Sequence, residues 1–218
     1  MTLTFPLTRS AFFDLLPIQQ MSFDCPEQLQ QSRTGDGSVL TADLGARLWR
    51  GDVQLGPMTR SEAAQVRALL DVLRGAGRSF MASDLAAPRP LADPDLSFLG
   101  TAAPVLHTIG ADSRTLRVAG LPAGYVLSAG DLLSFSYGVS PTRHALHRVV
   151  SEAIADGTGL TPLFEVTPHI RPGAAAGAAV TLDRPSCKAV LVPGSVDVGA
   201  TRRTLIEGVR FSFMQTLR

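Results

Sequence analysis

Between Ala129 and Val192 the chain consists almost entirely of short apolar runs separated by Gly, Pro and Asp. The runs read AGDLLSFSYGV, ALHRVVSEAI, LFEVTPHI, AVTLDRP and CKAVLV. Apolar segments of this length, bounded by turn residues, predict strands. ADGTG at 155–159 predicts a hairpin-type turn, and GAAAGAA at 173–179 a loop of small residues. No nucleophile elbow, metal cage or phosphate loop interrupts the series. Such a stretch is suited to building a β module for assembly more than to holding a reactive group.

Further strands are expected on both sides of it. Met21, Phe23 and Cys25 share one face of an early strand. Thr34-Gly35-Asp36-Gly37 is a strong turn signal. In ARLWRGDVQLGP, Trp49, Val53 and Leu55 fall on one face and Arg50, Asp52 and Gln54 on the other, the alternation of a half-buried strand. One helix is predicted, from about Thr59 to Arg74. Thr59 and Glu62 form a capping box, Val66, Leu69, Leu70 and Leu73 make an apolar stripe, and Gly75 and Gly77 stop the helix. GRSFMASDL reads as a strand leaving it, and PVLHTI and RTLRVAG as strands beyond.

AAPRPLADP at 86–94 is proline-rich and aperiodic, so it reads as an extended crossing and a boundary. At the far end Val209, Phe211 and Phe213 alternate with Arg210, Ser212 and Met214. A terminal strand this apolar needs a sheet to join, and the Trp49 strand offers one. The expected organisation is therefore a discontinuous domain, 1–92 plus 186–218, with a second β domain inserted at 93–185.

Composition narrows the partners. The 218 residues carry a formal net charge of +1 with both signs scattered. Nucleic-acid surfaces need a basic stripe to displace counterions, and membrane anchors need a polybasic cluster; neither is present, so no nucleic-acid contact is required. No run approaches the roughly 20 apolar residues of a membrane span, and no insertion is expected. The first twenty residues, broken by Pro6, Arg9, Asp14 and Pro17, do not read as a signal peptide. Cys25 and Cys187 cannot make a disulfide framework and are expected as free, buried thiols folded in a reducing cytoplasm.

The candidate chemical groups have simpler structural readings. His144 and His147 are three apart, which suits metal binding on a helix but sends the rings to opposite faces of a strand. His107 and His169 stand alone. Ser140 in GVSPT lacks the closing Gly of a nucleophile elbow and reads as a turn serine. Asp14, Asp24, Asp43, Asp52, Asp131 and Asp156 lie mostly beside turns, with no evident catalytic pair. Arg50-Gly51-Asp52, an adhesion tripeptide elsewhere, falls inside a predicted strand. Trp49 reads as a core or interface residue. No catalytic, cofactor-binding or metal-binding residue is assigned.

The order of these pieces resembles a known family. WRGDVQLGPMTRSEAAQVRALLDVLRGAGRSF, then GLPAGYVLSAGDLLSF, ALHRVV, FEVTPHIRPGAAAGAAVTLDRP and a closing VRFSFMQTL are similar to the Dit-like distal-tail proteins of long-tailed bacteriophages and of gene transfer agents, particularly alphaproteobacterial ones. The similarity covers most of residues 40–218. It implies a mainly β (α+β) fold: a tail-tube-like β-sandwich or split barrel with one helix, plus an inserted small β-barrel, oligosaccharide-binding-like or galectin-like. It implies a non-enzymatic structural protein of the virion tail tip, assembled in the bacterial cytoplasm. The chain would form a ring, usually hexameric, that joins the tail tube protein to hub or fibre proteins. The segment around 29–41 would contact neighbouring subunits. An alternative is a carbohydrate-binding module that takes a host glycan on Tyr125, Tyr137 or Trp49, with Phe135 nearby. A cell-wall hydrolase is the weakest alternative.

Overall fold

The computed structural model describes residues 3–218. The fold is mainly β with one α-helix. The chain divides into two compact units. The larger comprises the described residues up to Leu15, then Ala76–Ala189 and Thr216–Arg218; the smaller comprises Leu16–Gly75 and Val190–Gln215.

In the smaller unit an antiparallel sheet runs in the order Ile18–Asp24, Arg50–Leu55, Leu205–Gln215, Asp197–Arg202. The alternation read from the sequence sets its faces. Val53, Leu55, Val209, Phe211 and Phe213 are buried, while Asp52, Gln54 and Arg210 are exposed. Trp49 is buried and stacks on Phe23 at 4.9 Å. The helix spans Arg60–Leu73. Its capping box is complete: the Thr59 hydroxyl accepts from Glu62 N, and the Glu62 carboxylate accepts from Thr59 N at 2.8 Å. The bond from Thr59 N, and then the one that the Thr59 hydroxyl donates to the same carboxylate, hold the Glu62 carboxyl below the usual range. Ala63, Val66, Leu70 and Leu73 are buried, and Leu69 borders that stripe.

The larger unit contains a nearly closed antiparallel barrel. Its order is Val180–Thr181, Leu132–Tyr137, Arg143–Val149, Phe164–Thr167, Thr115–Ala119, Val105–Ile109. Backbone bonds between its ends bring it close to closure: Leu106 N donates to Ala178 O, Gly177 N to Leu106 O and Val180 N to Pro104 O. A barrel leaves few exposed edges. Its interior packs Leu106, Leu116, Val118, Leu133, Phe135 and Phe164 around Tyr125. Gly159 adopts φ +78°, and a β-carbon there would lie 2.1 Å from Leu121 O, so this corner of the barrel requires glycine.

The expected boundaries at 92/93 and 185/186 lie elsewhere, for a reason of pairing. Phe80–Ser83 pairs with Ser186–Ala189, Leu7 bridges to Phe80, and Phe12 packs on the Phe80 ring at 4.9 Å. Residues 3–15 and 76–92 therefore belong to the barrel-bearing unit. The proline-rich segment, read as an extended crossing, is fastened within this unit. Asp84 accepts from Ala86 N, Asp131 from Leu91 N, and Asp93 from Phe98 N and Leu99 N. Burial raises the Asp131 carboxyl, against the lowering effect of its bonds from Leu91 and Ser128.

Candidate interaction surface

Between Ile18–Asp24 and Arg50–Leu55 the chain makes a separate excursion. Strands Leu29–Arg33 and Val39–Asp43 pair only with each other, in register from Leu29 opposite Asp43 to Arg33 opposite Val39. Every residue of both strands is exposed. The sequence named this region by its turn, and hydrogen bonds close that turn. Gly37 takes φ +87°, Gly37 N donates to Thr34 O, Thr34 N donates to Ser38 O, and the Asp36 carboxylate accepts from Ser38 N and from the Thr34 hydroxyl. The Thr34 hydroxyl is the first cause that lowers the Asp36 carboxyl, followed by Ser38. At the base Leu44 N donates to Gln28 O, and Arg47 donates to Cys25 O.

This arm carries large apolar side chains into solvent. Leu40 is 59% exposed, Val39 53% and Leu44 67%. Leu40, Ala42 and Leu44 follow at spacing two and so share one face of the ribbon. A two-stranded ribbon with no core beneath it is marginally stable in water, and apolar residues grouped on such a ribbon mark a contact surface.

Two strand edges in the same unit add to this. Ile18–Asp24 is the outermost strand on one side of the sheet, and Asp197–Arg202 lies on the other side of Leu205–Gln215. The sequence IQQMSFD has no Lys or Pro to blunt its edge. Between the edges the sheet shows a polar face. A groove of about 480 Å³ is lined by Gln20, Ser22, Asp52, Gln54, Arg210 and Ser212. There the Ser212 hydroxyl donates to Asp52 at 2.5 Å and the Ser22 hydroxyl at 3.3 Å. Arg210 pairs with Asp197 at 3.3 Å and Arg202 with Glu207 at 3.5 Å.

No family model matches the chain, and no curated protein matches it.

The candidate residues read from the sequence are dispersed. Trp49, Tyr125 and Tyr137, named for the glycan-binding alternative, are 1%, 0% and 6% exposed, and Trp49 is the core residue it was read as. A sugar ring cannot stack on faces already packed in a core, so these residues do not form that platform. Phe98, 51% exposed and 5.6 Å from the Tyr125 ring, is the outward aromatic in that region. Cys25 and Cys187 are buried and are not joined in a disulfide. Ser140 is an exposed residue of the loop between Leu132–Tyr137 and Arg143–Val149. Asp156 caps the 155–159 turn by accepting from Thr158 N and Leu160 N.

His144 and His147 do fall on opposite faces. His147 lies inside the barrel, where its ring stacks on Phe135 and Nδ1 contacts Pro168 O at 2.7 Å. Burial is the main cause that holds its pKa down to about 4, so the ring is neutral and Nδ1–H is the donor. His144 faces outward against Ser136. Among the described residues no three His, Cys, Asp or Glu side chains are grouped to hold a metal ion. Among the described residues no helix is long and apolar enough to cross a membrane.

Proposed function

We propose that this chain is a structural subunit that assembles with copies of itself into a ring at the tip of a bacteriophage-type tail. The observation that carries the reading is the exposed arm of Leu29–Arg33 and Val39–Asp43, in the same unit as Ile18–Asp24 and Asp197–Arg202, two strands that each pair on one side only. An arm without a core of its own is stabilised when a neighbour covers it. Two different edges on one subunit suit a repeated head-to-tail interface, and such an interface closes into a ring when its rotation permits. The near-neutral charge lets many copies pack closely.

The placement at a tail tip, with tube protein on one side and hub or fibre protein on the other, rests on the resemblance in strand and turn order. A β unit with one helix and a second unit that bears a barrel are in keeping with it. A six-copy ring is the expected stoichiometry. The role requires no catalytic residue.

Light scattering on the eluting full-length protein tests the arm directly. The native chain elutes as a closed oligomer of a single mass. A Leu40→Asp, Leu44→Asp double variant elutes as a monomer with an unchanged circular dichroism spectrum. An oligomer that persists in this variant removes the arm from the account.

A further inference from the structure

The barrel-bearing unit holds a second feature that the assembly reading does not use. Strands Leu132–Tyr137 and Arg143–Val149 pair so that Ser136 stands opposite His144, and Ser134 stands opposite Thr181 on the other side. Residues at spacing two share a face, so Ser134 and Ser136 point outward together while Phe135 enters the core. These side chains, with Met81 and Ser186, line a cavity of about 220 Å³. Within it Ser136 Oγ lies 3.1 Å from His144 Nδ1, and Ser134 Oγ accepts from Ser186 N at 3.3 Å, which leaves its own proton to donate.

Lys188 is the only lysine of the chain. It follows Ser186 at spacing two on the same strand, and it stands opposite Met81 in register. Its ammonium is close enough to act on His144, whose pKa is lowered first by burial and then by that charge. The side chains that line the cavity include no carboxylate. Several hydroxyl donors, an imidazole and one ammonium around a small opening make a donor-rich, positively biased site, which is complementary to an anion with several acceptor oxygens.

We propose that this cavity binds a phosphate group, with the hydroxyls of Ser134, Ser136, Thr181 and Ser186 and the His144 ring as donors and Lys188 as the countercharge. The site takes the tetrahedral oxyanion itself, whether as free phosphate or as the phosphate of an ester. A Ser–His pair at this distance also suggests acyl transfer. That chemistry needs an acid to orient the imidazole and donors for an oxyanion, and the cavity lining supplies no acid.

The test is a titration of the full-length protein with inorganic phosphate, followed by the NMR shifts of the His144 ring. Bound phosphate favours the imidazolium, so the His144 shift saturates and its pKa rises. His144→Gln and Lys188→Gln each weaken phosphate binding about tenfold or more, the equivalent of about 1.4 kcal/mol. A measurement on the unaltered protein guards against misfolded variants: phosphate protects Lys188 from an acetylating reagent, while the amino terminus, resolved as a separate peptide, reacts as before. A shift that never saturates, or a Lys188 labelling rate indifferent to phosphate, overturns the proposal. Glycerol 3-phosphate and phosphatidylglycerol vesicles separate the sources. Tighter binding of glycerol 3-phosphate than of inorganic phosphate assigns the site to an ester, and the reverse order assigns it to the free ion. Vesicle binding without binding of either small phosphate overturns the cavity as the site.

Discussion

A β-carbon placed on Gly51 would lie 2.5 Å from the ring of Phe213 and 2.9 Å from the carbonyl oxygen of Ser22. Phe213 stands opposite Gly51 on one side, and Phe23 stands opposite it on the other. The two rings lie 5.9 Å apart, and Phe23 also stacks on Trp49. Gly51 therefore makes room for an aromatic cluster across three strands. Its place between Arg50 and Asp52 is a packing requirement, and the tripeptide they spell lies within the Arg50–Leu55 strand.

Gly51→Ala is accordingly expected to destabilise the protein by about 1–3 kcal/mol, the usual cost of overpacking a filled core. The midpoint of urea unfolding checks this. A loss below about 0.5 kcal/mol would mean that the cluster yields without strain.

The helix supplies an independent check. Leu70 is 1% exposed, and Leu70→Ala is expected to cost about 2–5 kcal/mol. Thr59→Ala removes the cap that accepts from Glu62 N and is expected to cost about 1 kcal/mol. Chemical denaturation measures both, and an equal cost for the two would contradict the burial of this face.

His147 makes stability depend on pH. Its folded pKa is near 4 and its ordinary value is 6.5, so the unfolded chain binds the proton first as pH falls. The fold has its full stability from this group above about pH 6.5. It loses about 1.4 kcal/mol per pH unit on the way down to about pH 4, and the loss levels off below, near 3 kcal/mol in all. His147→Gln keeps a donor for Pro168 O without titrating. Melting temperatures of the two proteins should converge at neutral pH in slope and diverge below about pH 6. Parallel curves between pH 6.5 and 4 would contradict the buried neutral ring.

The parts legible in the sequence are those where local pattern and burial agree. The capping box fixed the start of the helix, and alternation fixed the faces of Arg50–Leu55 and Leu205–Gln215. Strand parity also separated His144 from His147. What escaped was set by long-range pairing. Nothing near Phe80 in sequence says that it will bridge to Leu7 and pair with Ala189, so the unit boundaries were misplaced. From residue pattern alone, apart from the resemblance, the arm was legible only as a turn, because its strands are exposed on both faces and carry no burial alternation. The aromatics proposed for a glycan are indistinguishable in sequence from core aromatics. The Ser136–His144 pair depends on hairpin register, and the five-residue loop 138–142 was the one signal that could have placed it.

The central claim is closed self-assembly through the arm and the sheet edges. Native mass spectrometry of the full-length protein across a range of concentrations tests it most directly. The account predicts a discrete closed species, expected at six copies, with no ladder of larger assemblies. A monomer at every concentration, or an open-ended series of sizes, would contradict it.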